Sequence, residues 1–172
     1  MDSVDGRYLL NQLCSFYLLP YFDLGVKLEA DGLGGIKQIC GSVHYIQPLK
    51  SSLLTRGVYT MEDLRASSQF RKNPEEFENL KKNDYIKNIN VNNPAVISVN
   101  MQIASHAVND FLNRIHPFKS EHPACYAAST IDISSGYIVN SNESDFEVDT
   151  YLKMKSGRGD ILPFIEMAEL IV

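Results

Sequence analysis

The sequence has little of what secreted, membrane-spanning or disulfide-rich proteins require. Its three cysteines, Cys14, Cys40 and Cys125, are an odd number at wide spacings, which argues against a disulfide framework or a paired-cysteine metal site and favours a reducing compartment. No apolar run reaches the roughly 20 residues that span a bilayer. Two acids precede the first apolar segment, which is unlike a signal peptide. We therefore expect a cytoplasmic protein without a membrane segment.

The sequence also lacks a large excess of positive or negative charge. The formal net charge is -5 and 22% of the residues are charged, which is close to an ordinary globular protein. Neither a nucleic acid nor an anionic membrane surface is therefore an expected partner. A chain of 172 residues, 44% of them apolar, can bury one sizeable core, so we expect a single domain.

Two segments have the apolar period of a helix with one buried face. Apolar residues recur at steps of three and four between Arg7 and Leu19, and Pro20 ends the pattern, which predicts a helix over 5–19. A clearer pattern over 94–115 predicts a second helix, with Asn93 as its cap and Pro94 in its first turn. Small residues on this second helix suggest close packing on a sheet.

The strand signals form two hairpins and one further strand. Apolar and charged residues alternate from Val26 to Ala30, a glycine-rich turn follows, and a second β-rich run extends over 36–46. This pattern predicts an antiparallel hairpin with Gly41 at a bulge or a close approach. Residues 125–139 predict a second hairpin that turns at Ser135-Gly136, and residues 146–154 predict another strand.

A long polar stretch separates the first hairpin from the second helix. Residues 48–92 are rich in charged and polar side chains, and we interpret them as a crossover loop with one short helix near 75–82. A connection of this length inside a compact domain is usually functional or disordered.

Several spaced motifs are shared with one enzyme family. An acid at Asp2 is followed by an arginine five positions later at Arg7 and by an asparagine at Asn11, at the start of a helix that leads to a proline and a strand. Further matches lie in the first hairpin, in the Asn93-Pro94 segment and in the Gly157-Arg158-Gly159-Asp160 ending. The motifs cover most of the chain, which resembles the ThiF/MoeB/HesA family of E1-like adenylyltransferases.

The resemblance implies a fold, a reaction and a set of partners. The fold would be α/β, the C-terminal part of a Rossmann-like adenylation domain, with a mixed sheet, antiparallel hairpins and two main helices. The reaction would be ATP-dependent adenylation of the C-terminal carboxylate of a ubiquitin-like or sulfur-carrier protein or peptide. A homodimer is also implied.

The same resemblance assigns roles to three residues. Asp2 would coordinate Mg²⁺ and the phosphates of ATP, and Arg7 and Asn11 would order the loop on the nucleotide side. A carboxylate at a strand-to-helix junction is a reasonable magnesium ligand. The residues alone leave other interpretations open. Asp2 or the nearer Asp5 can cap a helix, and Arg7 and Asn11, one turn apart, can form an exposed polar stripe.

The chain departs from the family in three places. It contains no G-x-G-x-x-G loop, so residues 1–172 would form one partial domain without the nucleotide-binding half. Relatives hold zinc with two Cys-x-x-Cys pairs, but the place of the first is Ser52-Leu53-Leu54-Thr55, and 146–156 has no cysteine for the second. Hydroxyls are poor zinc ligands, so zinc is not expected.

The third departure concerns covalent catalysis. Relatives that form thioesters carry a nucleophilic cysteine in the crossover loop, whereas residues 48–92 contain none. Cys125, close to His122, is the one cysteine near a loop, although the family places no nucleophile there. Two hypotheses follow. The chain belongs to an adenylating enzyme and is inactive when isolated, or it is a degenerate, non-catalytic module for dimerisation or partner binding. An unrelated α/β binding domain is a third, generic alternative.

Overall fold

A computed structural model describes residues 3–31, 33, 35–74 and 96–157. Within these residues the helices and strands are, in chain order, α1 (Val4–Phe16), β1 (Tyr21–Ala30), β2 (Ile36–Ile46), α2 (Met61–Lys72), α3 (Ile97–Ile115), β3 (Ala128–Asp132), β4 (Tyr137–Ser141) and α4 (Thr150–Lys155). The chain divides into two compact units. The first comprises the described residues of 1–19, 47–91 and 148–172, and the second comprises those of 20–46 and 92–147. The α/β class is thus as predicted, and the expectation of a single domain stays a prediction.

The second unit is built on a four-stranded sheet in the order β1-β2-β3-β4. All three strand pairs are antiparallel, so the predicted hairpins are confirmed, whereas the parallel pairing of a mixed sheet does not occur in the described part of the chain. Asp31 shapes the first turn, because its Oδ1 accepts hydrogen bonds from the backbone N–H groups of Leu33 and Gly35 at 2.7 and 2.8 Å. Gly136 shapes the second turn with a φ of +74°, a conformation that glycine adopts without strain.

Helix α3 packs on this sheet and forms its core. The buried side chains of the cluster, with those packed against them, are Val43, Ile103, Ala107, Ile131, Phe22, Val26 and Ile133. A Cβ atom added at Gly41 would lie 2.3 Å from Ile103 Cδ1, which is closer than two carbon atoms can approach. The close approach predicted at Gly41 is therefore confirmed, since only glycine admits the Ile103 side chain there.

The start of α3 differs from the prediction. The predicted cap Asn93 and Pro94 lie outside the described residues. The helix as described begins at Ile97, after Val96, whose side chain makes no capping hydrogen bond.

The first unit contains α1, α2 and α4. Ser3 caps α1 by accepting a hydrogen bond from the Gly6 N–H at 3.2 Å. Asp5 is therefore not the cap that the sequence suggested; it lies inside the first turn and is buried. The helix ends at Phe16, three residues before the predicted end, and Leu18 follows with a φ of +56°.

Helix α2 corrects the interpretation of 48–92 as one loop. The Thr60 Oγ1 accepts a hydrogen bond from the Asp63 N–H at 3.1 Å, and the Asp63 carboxylate accepts one from the Thr60 N–H at 2.9 Å. This reciprocal capping box starts the helix, and its Thr-x-x-Asp spacing is a sequence signal that we missed. The short helix predicted at 75–82 lies outside the described residues.

The strand predicted over 146–154 is wrong. Residues Glu143–Asp145 form a 3-10 turn and Thr150–Lys155 form α4. Asp149 caps α4, because its Oδ1 accepts the Leu152 N–H at 2.9 Å. A side-chain acceptor before a run of good helix formers outweighs the weak alternation of apolar residues in this segment.

Candidate functional site

The buried face of α1 is polar. Asp5, Tyr8, Gln12 and Ser15 recur at steps of three, four and three, and all four are buried. The apolar face predicted for this helix is confirmed in part, since Cys14 and Phe16 are buried, but Tyr17 is 58% exposed. Helix α1 therefore presents hydrogen-bonding groups to the interior of the first unit.

Asp5 joins α1 to α2. Its carboxylate forms an ion pair with Arg71 in the last turn of α2 and accepts a hydrogen bond from Ser67 Oγ at 3.4 Å. Burial alone would raise the pKa of Asp5, but the Ser3 hydroxyl, the Arg71 guanidinium and the Gly6 N–H together offset it, so that its pKa lies below the ordinary value. The carboxylate is thus kept in its ionised form, and its role is to join the two helices.

A second polar contact joins two segments far apart in the chain, and we call it the Ser52–Asp149 cluster (Ser52, Thr55 and Asp149). Ser52 Oγ donates to Asp149 Oδ2 at 2.7 Å across 97 positions. Ser52 and Thr55 also bond reciprocally: the Thr55 N–H donates to Ser52 Oγ at 3.2 Å, and the Ser52 N–H donates to Thr55 Oγ1 at 2.9 Å. The Asp149 N–H donates to the Lys50 carbonyl at 3.1 Å. The cluster therefore ties the segment after β2 to the start of α4.

The two halves of this contact have the same local geometry. Residue 55 donates its N–H to the side chain of residue 52, and residue 152 donates its N–H to the side chain of residue 149. In both turns the side-chain oxygen of the first residue accepts a hydrogen bond from the backbone N–H of the residue three positions later. Zinc ligands in a Cys-x-x-Cys pair have this spacing, but two hydroxyls, a carboxylate and Leu152 do not fit tetrahedral zinc. No cluster of three or more His, Cys, Asp or Glu that could hold a metal occurs among the described residues.

A cavity of about 330 Å³ lies beside the cluster within the first unit. Its walls come from α1, from the segment between β2 and α2 together with the start of α2, and from the start of α4. The lining residues are Tyr8, Asn11, Gln12, Ser52, Leu54, Tyr59, Met61, Asp149, Tyr151 and Leu152. The cavity thus combines tyrosine rings and aliphatic side chains with a few buried polar groups, which is the composition of small-molecule sites.

Gln12 is the least satisfied of these polar groups. Only 4% of its surface is exposed, and its buried Oε1 accepts no hydrogen bond from the described part of the protein. A buried acceptor without a donor is costly.

The residues assigned by resemblance are only partly described. Asp2 lies outside the described residues. Arg7 is half-buried, and Asn11 is 2% exposed and lines the cavity, so the exposed polar stripe that the sequence allowed is wrong. The lining residues that are described include no cation for phosphate groups, so they do not fit a triphosphate.

The functional candidates that sequence reasoning missed are Gln12, Ser52 and Asp149. The spacing of polar residues along one face of α1 could have indicated Gln12, and the N-cap preference of aspartate could have indicated Asp149. No local signal pairs Ser52 with Asp149.

The surroundings of Cys14 and Cys125 bear on whether their thiols can react. Burial raises the pKa of the Cys14 thiol, which disfavours the nucleophilic thiolate. Cys125 is half-buried, and its Sγ accepts a weak hydrogen bond from Asn142 Nδ2 at 3.7 Å. His122 Nδ1 accepts the Ala124 N–H at 3.2 Å, so this ring nitrogen is engaged with the backbone.

Comparisons with known proteins add no family. No protein-family model, no curated protein and no solved structure matches the chain. None of the helices in the described segments is long and apolar enough to cross a membrane.

Proposed function

We propose that this chain is the carrier-side half of a ThiF-type adenylating domain. In the complete domain the C-terminal carboxylate of a ubiquitin-like or sulfur-carrier protein or peptide attacks the α-phosphate of ATP. The acyl-adenylate forms, the bond to the β-phosphate breaks, and pyrophosphate leaves. Mg²⁺ supplies charge stabilisation on the phosphates when it is bound.

One observation carries the proposal. The family resemblance expects two zinc-binding pairs, one after the first hairpin and one shortly before Gly157, and these two places are in contact in this protein through Ser52 and Asp149 at 2.7 Å. The contact spans 97 positions, so it follows from the fold and not from local sequence. A contact between the two places where that family carries its zinc-binding pairs supports the fold expected from the resemblance.

The proposed nucleotide site would lie at the start of α1. Asp2 would bind the magnesium and the phosphates, and Arg7 and Asn11 would order the adjoining loop. The hairpin β1–β2 and the 48–92 segment are each, separately, proposed to contact the tail of the carrier protein.

Nucleotide titration tests this proposal. In a ThiF-type nucleotide-binding half, the glycine loop, the helix N-terminus and the basic side chains would each contribute about 1.5–3 kcal/mol to phosphate binding. Their loss of roughly 5 kcal/mol weakens affinity several thousandfold. The 172-residue chain is therefore expected to show no Mg-ATP binding in calorimetry at sub-millimolar nucleotide and no pyrophosphate exchange.

A protein that joins this chain to a glycine-rich nucleotide-binding half is expected to regain both properties. Asp2→Ala in that protein should abolish pyrophosphate exchange and leave the melting temperature within a few degrees. Full exchange by the Asp2→Ala protein, or tight ATP binding by the short chain, would refute the assignment.

A second candidate function is a non-catalytic dimerisation module, and α3 favours it. An apolar stripe (Ile97, Met101, Ala104, Val108, Phe111 and Ile115) follows the helix at steps of four and three. Its large side chains are 49–76% exposed. This is the a/d spacing of a two-helix seam, and no charged residue interrupts it. We propose a second copy of α3 as its occupant, because the seam is self-complementary.

Sedimentation equilibrium tests whether the apolar stripe of α3 is the dimer seam that this candidate requires. Met101→Glu with Val108→Glu is expected to turn a dimer into a monomer, because the charges enter the seam. The control pair, Gln102→Glu with Asn109→Glu, places the same charges one position along the exposed helix surface and should keep the dimer. A monomeric wild-type chain, or equal effects of both pairs, would exclude the second candidate.

A further inference from the structure

We infer that the cavity of the first unit binds an uncharged, partly aromatic small molecule that donates an N–H to the side-chain oxygen of Gln12. This goes beyond adenylation, because such a ligand carries no phosphate. Of the described lining residues, the nucleotide assignment uses Asn11 alone.

The Gln12 amide supplies the first argument. The side chain is 4% exposed and lines the cavity, and its Oε1 has no donor within the described residues. A ligand N–H would satisfy this acceptor and remove the cost of leaving it unpaired. The nearby Ser52 hydroxyl cannot do so, because it already donates to Asp149 at 2.7 Å.

The walls supply the second argument. Tyr8 and Tyr59 are buried aromatic residues, and they line the cavity together with Met61 and Leu54. Aromatic rings and a thioether favour a flat, polarizable ligand body. The volume of about 330 Å³ is at the small end of ligand pockets, so the ligand is small.

Charge supplies the third argument. Asp149 is the sole ionisable acid or base at physiological pH among the described lining residues. Both of its oxygens are already engaged, one by Ser52 and one by the Leu152 N–H. No cation lies among the described lining residues to offset the Asp149 carboxylate, which repels anions, so a carboxylate or phosphate ligand is disfavoured.

The test uses matched probes on the full chain. Benzamide has a flat aromatic body, no charge and an N–H donor, whereas benzoate has the same body with a negative charge and no donor. Both are titrated against isotope-labelled protein, and amide chemical shifts are recorded. We expect benzamide to shift the resonances around Gln12 and Asp149, and benzoate to bind at least about tenfold more weakly.

Two variants locate the contact. Gln12→Leu keeps the side-chain size and removes the acceptor, so benzamide binding should fall about tenfold or more while the melting temperature does not fall, because an unpaired buried acceptor is lost. Gln69→Leu makes the same change on the exposed surface of α2 and should leave binding unchanged.

Three results would overturn the inference: equal binding of benzoate and benzamide, unchanged benzamide binding by folded Gln12→Leu, or no shift with either probe. If Gln12→Leu does not fold, the Gln12 amide is structural and the inference is also wrong. None of these results bears on pyrophosphate exchange, so the adenylation proposal is tested separately.

Discussion

The two units of the molecule have interiors of different chemistry. In the second unit, Val43, Ile103, Ala107 and Ile131 form an apolar layer between α3 and the sheet. Among the described residues, the second unit also buries the polar residues Asp23, Asp110, Asn113 and Ser129. The first unit buries more polar side chains, which are Asp5, Asn11, Gln12, Ser15, Ser51, Ser52, Ser68 and Asp149.

This difference determines how each unit responds to substitution. Apolar contacts have no preferred direction. The stability of the second unit should therefore depend on the volume of its buried side chains and should return when a lost volume is restored. Buried hydrogen bonds are directional, and removal of one partner leaves the other unpaired. The first unit should therefore respond to the loss of single polar atoms, even where volume hardly changes.

The largest effect is expected in the apolar interior. Ile103→Ala should lower the free energy of unfolding by about 2–5 kcal/mol, because it leaves a cavity in a closely packed core. Gly41→Ala should also destabilise, since its new Cβ would meet Ile103 Cδ1 at 2.3 Å. The double variant should lose less free energy of unfolding than the two single variants lose together. Urea denaturation of the two single variants and the double variant measures this difference. Strict additivity would contradict the proposed contact.

The next effect should come from the Ser52–Asp149 cluster. Asp149→Ala removes the cap of α4 and leaves the Ser52 O–H without its acceptor, so we expect a loss of about 2–4 kcal/mol in the free energy of unfolding. Asp145→Ala is the matched control in the second unit, because Asp145 is an exposed carboxylate that accepts the Asn142 N–H at 2.7 Å. The control should cost about 1 kcal/mol or less. Equal losses would show that burial of Asp149 adds nothing.

A smaller, pH-dependent effect is expected from Asp5. Its pKa is lowered in the folded protein, so the stability it contributes is present above the pKa of the unfolded chain and is lost as pH falls through the lower folded value. Asp5→Asn should therefore be less stable than wild type at neutral pH and should lose less stability on acidification. Thermal unfolding of the wild type and of Asp5→Asn between pH 7 and about 2.5 measures how the stability of each protein changes with pH. Parallel curves would contradict this role.

The smallest effect concerns the start of α2. Thr60→Ala removes one half of the capping box and should cost about 1 kcal/mol. Because Thr60 and Asp63 bond each other's backbone, Asp63→Ala added to Thr60→Ala should cost little more. Chemical denaturation of the two single variants and the double variant checks this coupling.

The same difference between the units explains what the sequence could predict. Both hairpins and the helix over 97–115 follow from apolar residues at regular steps, and Gly41 stands out because it interrupts a strand. In the first unit the decisive contacts join Asp5 to Arg71 and Ser52 to Asp149, which are 66 and 97 positions apart. Such contacts leave no period in the sequence. Helix α2 could have been predicted from the spacing of Thr60 and Asp63. The cavity at Gln12 could not, because it depends on three segments that come together only in the fold.

Cobalt(II) titration of a four-cysteine variant tests most directly the contact between segments 52–55 and 149–152, on which the proposed ThiF-type assignment rests. Ser52→Cys, Thr55→Cys, Asp149→Cys and Leu152→Cys create two Cys-x-x-Cys pairs that face each other across the contact at 2.7 Å. The reduced variant is expected to bind about one cobalt per chain, with the visible absorption of a tetrahedral thiolate site, while the wild-type chain shows none. A folded variant that binds no cobalt, or binds it without tetrahedral absorption, would contradict the placement of the two pairs and remove the main support for a ThiF-type fold.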